Sequence, residues 1–270
     1  MAPRIQSPSS INTFKQCPRR YYYNYILKIE QKIPSIHLQR GKIVHSALED
    51  FFKINVTTIS SDHYESELKI ILQNLLKQKW VAGKKELEKI DMSKDQLDFY
   101  YEETIQMMNN WFKNFLQSLK ERVNSYGLEK AFNTIKPITE VYFVSEEHQV
   151  RGFIDAVHEI DGKTILMDYK TSKREKMTDE YKLQLAIYAL LYEEKYGKKP
   201  DLVGIDFLRH KSHYLEVDQE LVNFAKLECK FIQEQTISED IEDYSKKEGP
   251  LCNYCDFYDI CFGQKTIHDF

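Results

Sequence analysis

The chain has 270 residues, 42% of them hydrophobic and 30% charged, which suits a packed core and excludes a compositionally disordered chain. No apolar run approaches the ~18 residues that span a bilayer and the polar N-terminus lacks a signal-peptide stretch, so a soluble cytoplasmic protein with no membrane partner is expected. The net charge of −4 excludes a globally basic nucleic-acid binder, so a polyanion would have to meet a local basic surface.

In chain order, Ser9 and Ser10 cap a first helix that Cys17-Pro18 breaks ahead of Tyr21-Tyr22-Tyr23. Gly41 to Phe52 carries Val44, Ala47, Leu48 and Phe51 at helical spacing. After a polar connection, Tyr64 to Trp80 and Lys94 to Tyr126 read as two long helices, so residues 62–136 form a helical insertion within one domain spanning 1–270. From Ile138 the period becomes two, giving strands over Ile138 to Val144, Gln149 to Ile160 and Lys163 to Tyr169. Asp179 to Tyr196 is a helix, Leu202 to Leu208 a buried strand, and His213 to Val217 its hairpin partner. Asp218 caps a last helix running to about Glu234, and an acidic stretch leads to a Cys-rich tail over 249–263.

The chemistry concentrates on the second and third strands. Asp161-Gly162 between them is a strong two-residue hairpin signal, because both positions favour φ > 0. A turn there pairs Ile160 with Lys163 and, counted back along both strands, sets Asp155 opposite Asp168. Like charges facing each other destabilise a sheet. Asp168 ends the apolar run Ile165-Leu166-Met167, so the pair needs a compensating cation, and Lys170 projects from the same face. Two readings stay open: two acids holding a hard divalent ion beside an ammonium, or a plain Lys–Asp salt bridge. Two helices add candidates, since His45 and Glu49 are four apart, as are Gln184 and Tyr188.

Taken together, Gly41 to Glu49 (G-x-x-x-H-x-x-L-E), Gly152 to Asp155 (G-x-x-D), Asp168-Tyr169-Lys170 and Gln184 to Tyr188 (Q-x-x-x-Y) resemble, in order, the motifs of RecB-like nucleases of the PD-(D/E)XK superfamily. The resemblance runs from Ser7 to the C-terminus apart from the helical stretch. It implies an α/β, restriction-endonuclease-like core with a central mixed sheet flanked by helices. It also implies Mg²⁺- or Mn²⁺-dependent hydrolysis of DNA phosphodiester bonds. The metal would be held by Asp155, Asp168, the Tyr169 carbonyl and His45, with Lys170, Gln184 and Tyr188 as further catalytic residues and Glu49 as a supporting partner.

Five cysteines without a secretory signal argue against a disulfide framework. Cys252, Cys255 and Cys261 have ligand spacing and Cys17 can complete four, a pattern that by spacing alone favours zinc. The resemblance narrows to the iron–sulfur RecB-like group, which includes nuclease subunits of helicase–nuclease complexes and CRISPR-associated adaptation nucleases, and favours a structural 4Fe-4S cluster. Cys229, among Ala225, Leu227 and Phe231, reads as a buried apolar residue.

The substrate so implied is DNA, single-stranded or with free ends, and the partners a CRISPR adaptation protein or a helicase. Arg19, Arg20, Lys173, Arg174 and Lys176 are candidate phosphate contacts and Tyr21, Tyr22 and Tyr23 are either stacking or core residues. By family analogy the helical insertion covers the groove so that a single strand threads it, which favours an exonuclease. An endonuclease, a non-enzymatic DNA-binding adaptor and a redox protein are the competing readings.

Overall fold

The Asp161-Gly162 turn sets the frame. Its residues take φ of 52° and 78°, the left-handed pair that matches strand twist in a tight hairpin. Ile160 pairs with Lys163 as expected. The structure, a computed structural model, describes residues 4–29 and 35–263. Strands β1 (Ile138–Ser145), β2 (Val150–Ile160), β3 (Lys163–Lys170), β4 (Leu202–Phe207) and β5 (Ser212–Glu216) form one sheet in that order. β3 and β4 run parallel and the other neighbours antiparallel. The central mixed sheet flanked by helices agrees with the expected α/β architecture.

A core lies on each face. On one, α1 (Pro8–Gln16), α8 (Asp179–Tyr196) and α9 (Gln219–Gln235) bury Phe14, Ile187 and Ile232 against Ile154 and Leu166. Leu185 through Tyr192 are all buried in α8, so this helix has no solvated stripe and is sandwiched between neighbours. Thr178 caps it through Tyr181 N at 3.3 Å, and Asp218 caps α9 through Leu221 N at 2.8 Å. On the other face α3 (Ile36–Phe51), α4 (Tyr64–Ala82), α6 (Lys94–Tyr126) and α7 (Leu128–Ile135) bury Phe51, Leu72, Trp111 and Phe132 with Ala156, Met167 and Tyr169. Among the described residues no helix is long and apolar enough to cross a membrane.

Several expectations are corrected. The first cap is Ser7, which exchanges hydrogen bonds with Ser10 because Pro8 occupies the first helical position. Cys17 does break the helix, in extended backbone, and a short turn (Pro18–Tyr21) then widens into a π-helical turn, Tyr22–Ile26. α3 begins at Ile36, ahead of Gly41. The sequence reading also missed α7, which a positive-φ Gly127 separates from α6.

Candidate active site

The site forms where two strands part. The β2–β3 ladder keeps its register from Ile160↔Lys163 to Ala156↔Met167 and stops one step before Asp155 and Asp168. There the Tyr169 amide donates to Asp155 Oδ2 at 2.7 Å, so a carboxylate takes a strand hydrogen bond in place of a backbone carbonyl. β2 also changes face here. Ile154 packs in the α8-side core and Ala156 in the α3-side core, whereas residues two apart in a regular strand share a face. Across from Asp155, Glu140 adopts φ of 52° between the pairs Thr139↔Ala156 and Val141↔Ile154, a strained conformation for a non-glycine residue. This kink turns both acids toward α3.

From α3, His45 reaches the same point. Its Nε2 lies 3.0 Å from the Tyr169 carbonyl and its Nδ1 3.2 Å from Asp155 Oδ1 and 3.9 Å from Glu140. Burial pulls the imidazolium pKa down, but the hydrogen bond and charge of Asp155, with Asp168 behind it, lift it to about 9. Burial and the Asp155 charge push the Glu140 carboxyl up. His45, Glu140 and Asp155 bring one ligand atom each within 4.8 Å of one another, and they are the one such group among the described residues. One imidazole and two carboxylates suit a divalent cation that accepts oxygen and nitrogen.

Asp168 is held from the opposite side. Its Oδ1 accepts from Gln184 Nε2 at 2.6 Å and from the Tyr188 hydroxyl at 3.2 Å, and Gln184 also donates to that hydroxyl at 2.7 Å. Oδ2 meets Lys170 Nζ at 2.6 Å, at an angle that leaves it without a well-formed hydrogen bond. A buried carboxylate oxygen whose neighbour is an ammonium fits a cation site. Burial opposes the Lys170 ammonium, but Asp168 outweighs it and raises its pKa, so the lysine stays charged. Burial, followed by the Asp168 charge, drives the Tyr188 phenol well above its ordinary range, which keeps it a donor. The Q-x-x-x-Y spacing thus aims one helix turn at one carboxylate oxygen. Gly152 makes room for it: a Cβ there would sit 3.2 Å from Tyr188 Cε1 and 3.4 Å from Leu191 Cδ1.

The structure therefore gathers His45, Asp155, Asp168, Tyr169, Lys170, Gln184 and Tyr188 around one strand end. Glu140, which the sequence reading missed, stands with the tightest donor group while Asp168 does not. A signal existed: the loop Glu146 to Gln149 pairs Ser145 with Val150, which sets Glu140 opposite Asp155. Glu49 accepts from Lys53 at 2.6 Å and lines a groove of about 610 Å³ with His45, Glu140 and Lys170. A second groove, about 810 Å³, is lined by α1, Gly152, Gln184, Tyr188 and again Lys170. Among the described residues, none from 62–136 lines either groove, so the covering role expected of the helical insertion is not seen; its helices pack beneath the sheet instead.

Tyr21, Tyr22 and Tyr23 are buried against Phe14, Tyr244 and Phe257, which resolves them as core residues. Arg19 donates to the Tyr244 carbonyl at 2.6 Å and Arg20 to Gln16 at 3.1 Å, so both are engaged within the cysteine region and neither lines the two grooves. Cys17, Cys252, Cys255 and Cys261 line one small cavity with Arg19, Arg20, Lys246 and Phe257. Burial raises the Cys255 and Cys261 thiols, and the Cys17 charge adds to both. Cys229 is buried in the α9 core with its thiol pushed up to about 12, as expected of an inert apolar cysteine.

A family model described as PD-(D/E)XK nuclease superfamily matches residues 6–262. No functionally curated protein matches the chain. Among solved structures, one from Eubacterium rectale named "Putative exonuclease" is 12% identical over 94% of this chain and 87% of its own, with a TM-score of 0.49. Another, SSO0001, is 16% identical over 92% of this chain and 96% of its own, with a TM-score of 0.32.

Proposed function

The chain belongs to the PD-(D/E)XK nuclease superfamily, and from that premise we propose that it is a metal-dependent deoxyribonuclease working on single-stranded DNA from a free end. The observation that carries the reading is the compact donor group of His45, Glu140 and Asp155 beside the Asp168–Lys170 pair. Mg²⁺ or Mn²⁺ would be held by His45, Asp155, Asp168 and the Tyr169 carbonyl, with Glu140 added. When bound, such an ion polarises the phosphate and lowers the pKa of a coordinated water. Lys170, kept protonated, orients the attacking water or offsets charge gathering on phosphorus. Gln184 and Tyr188 fix Asp168, and Gly152 lets them do so.

The test uses protein purified without oxygen and end-labelled single-stranded and duplex DNA with Mn²⁺, Mg²⁺ or EDTA. Metal-dependent release of short products from single strands is expected, abolished in Asp168→Ala and Lys170→Ala. Cleavage of closed circular duplex would instead support an endonuclease, and DNA binding without cleavage an adaptor.

For Cys17, Cys252, Cys255 and Cys261 we propose a structural 4Fe-4S cluster. The four cysteines line one small cavity, where Arg19, Arg20 and Lys246 would offset the negative charge of a thiolate-held cluster. Iron and sulfide near four per chain are expected by analysis; one zinc and no iron would sink the proposal. A helicase or a CRISPR adaptation protein is the proposed partner, tested by co-purification from native extract.

A further inference from the structure

We infer that Tyr142 and Phe153, with Arg151 beside them, form a stacking subsite for an unpaired nucleobase next to the cleavage centre; this rests on the nuclease reading above. The two aromatics face each other across the β1–β2 ladder, ring centroids 4.9 Å apart and tilted by 47°. Both remain open, Tyr142 at 42% and Phe153 at 57% exposure, although the neighbours Phe143, Gly152 and Ile154 are buried. Large aromatics left open at the mouth of a cavity are a ready π-surface.

Their position supplies the occupant. Tyr142 is two residues from Glu140 and Phe153 two from Asp155, at most about 7 Å of strand from the donor group. Both line the 810 Å³ groove that Lys170, Gln184 and Tyr188 share. Two pairs further along, on the same face, Arg151 is opposite Val144 and is exposed. Among the described residues its guanidinium has no ion-pair partner, so it is placed to meet a phosphate. The facing wall presents Ser9, Asn12 and Thr13, polar groups that suit a sugar–phosphate chain better than an apolar peptide. Base–aromatic stacking tolerates any sequence, which a nuclease moving along a strand requires. A duplex offers no free base face, so the subsite favours single strands.

The experiment uses full-length, cluster-loaded protein and a single-stranded oligonucleotide carrying 2-aminopurine, with EDTA present so that no cleavage intervenes. Stacking on wild type is expected to quench the probe. Tyr142→Ala and Phe153→Ala are each expected to lose the quenching, weaken single-strand binding about tenfold and raise KM with kcat nearly unchanged, whereas Phe153→Trp restores all three. Duplex affinity should not move. If wild type cuts DNA and both alanine variants quench and bind as it does, the subsite fails while the nuclease reading stands. If wild type neither binds nor cuts, both fail. A change of sedimentation in the variants would assign the pair to an interface between copies and overturn the inference.

Discussion

Two faces of one sheet treat buried charge in opposite ways. At the parting of β2 and β3, Asp168 and Lys170 are buried together and the lysine stays charged because each supplies the other's counter-ion. On the α6 side, a cavity of about 180 Å³ holds His158 and Asp206 among Trp111, Phe115 and Tyr214, where a hydrogen bond to the Ile135 backbone and one to Ser212, rather than a counter-charge, are set against their burial. There burial pulls His158 down to about 4 and pushes Asp206 up to about 6. The lesson is that burial alone does not set the charge state in this fold: it shifts an unpaired group toward its neutral form, enough to keep His158 uncharged at neutral pH but not Asp206, while the paired Lys170 keeps its charge.

Removing the counter-charge is the strongest way to break the contrast. Lys170→Met is expected to turn Asp168 into a second Asp206, its pKa driven further up, and to cut kcat by about 10²–10³-fold; single-turnover cleavage reads it.

Acid should act on the α6 face. His158 lies below its ordinary 6.5, so the stability from burying it neutral is full above pH 6.5 and is lost as pH falls toward 4. At ~1.4 kcal/mol per unit that is about 3 kcal/mol. The pH dependence of the urea midpoint should flatten over this window in His158→Phe.

Asp206 has the opposite sign. Its raised value favours the folded state below pH 3.8, an advantage lost as pH rises through about 6. Asp206→Asn is therefore expected to stabilise at pH 7 by up to about 3 kcal/mol, read by urea denaturation at that pH.

The smallest effect sharpens the paired group without touching a charge. Gly152→Ala crowds Tyr188 at 3.2 Å and is expected to cost about 1–3 kcal/mol by overpacking. Part of that should appear as reduced kcat, because Tyr188 and Gln184 share the Asp168 oxygen.

Much of the site was legible because hairpin geometry is arithmetic. Asp161-Gly162 announces its turn, and the register follows to Ala156↔Met167. Helical spacing likewise put Gln184 and Tyr188 on one side of α8. Glu140 escaped because the four-residue loop Glu146 to Gln149, which sets it opposite Asp155, carries no two-residue turn signal to fix that register in advance, and its turn toward the site rests on a left-handed, non-glycine backbone. The tyrosine triplet stayed ambiguous because an aromatic run reads the same whether it faces a core or a ligand; the packing of Tyr21 on Tyr244 decided it. The exposed pair Tyr142–Phe153 was hidden for the converse reason, lying within strands whose alternation looked ordinary.

The first helix carries a consequence for the order of assembly. α1 forms a wall of the larger groove, yet it is tethered by Lys15 to Glu228 across 213 residues and, through the turn that follows, by Arg19 to Tyr244 across 225. Closing so wide a loop is among the slow steps of folding. On the ribosome, where the N-terminus emerges first, that wall can meet β2 and α8 as soon as they fold, but it gains its ties to α9 and Tyr244 only after those segments have been made. The larger groove is therefore assembled in two stages, first by docking of α1 on the sheet and then by its locking through α9 and Tyr244.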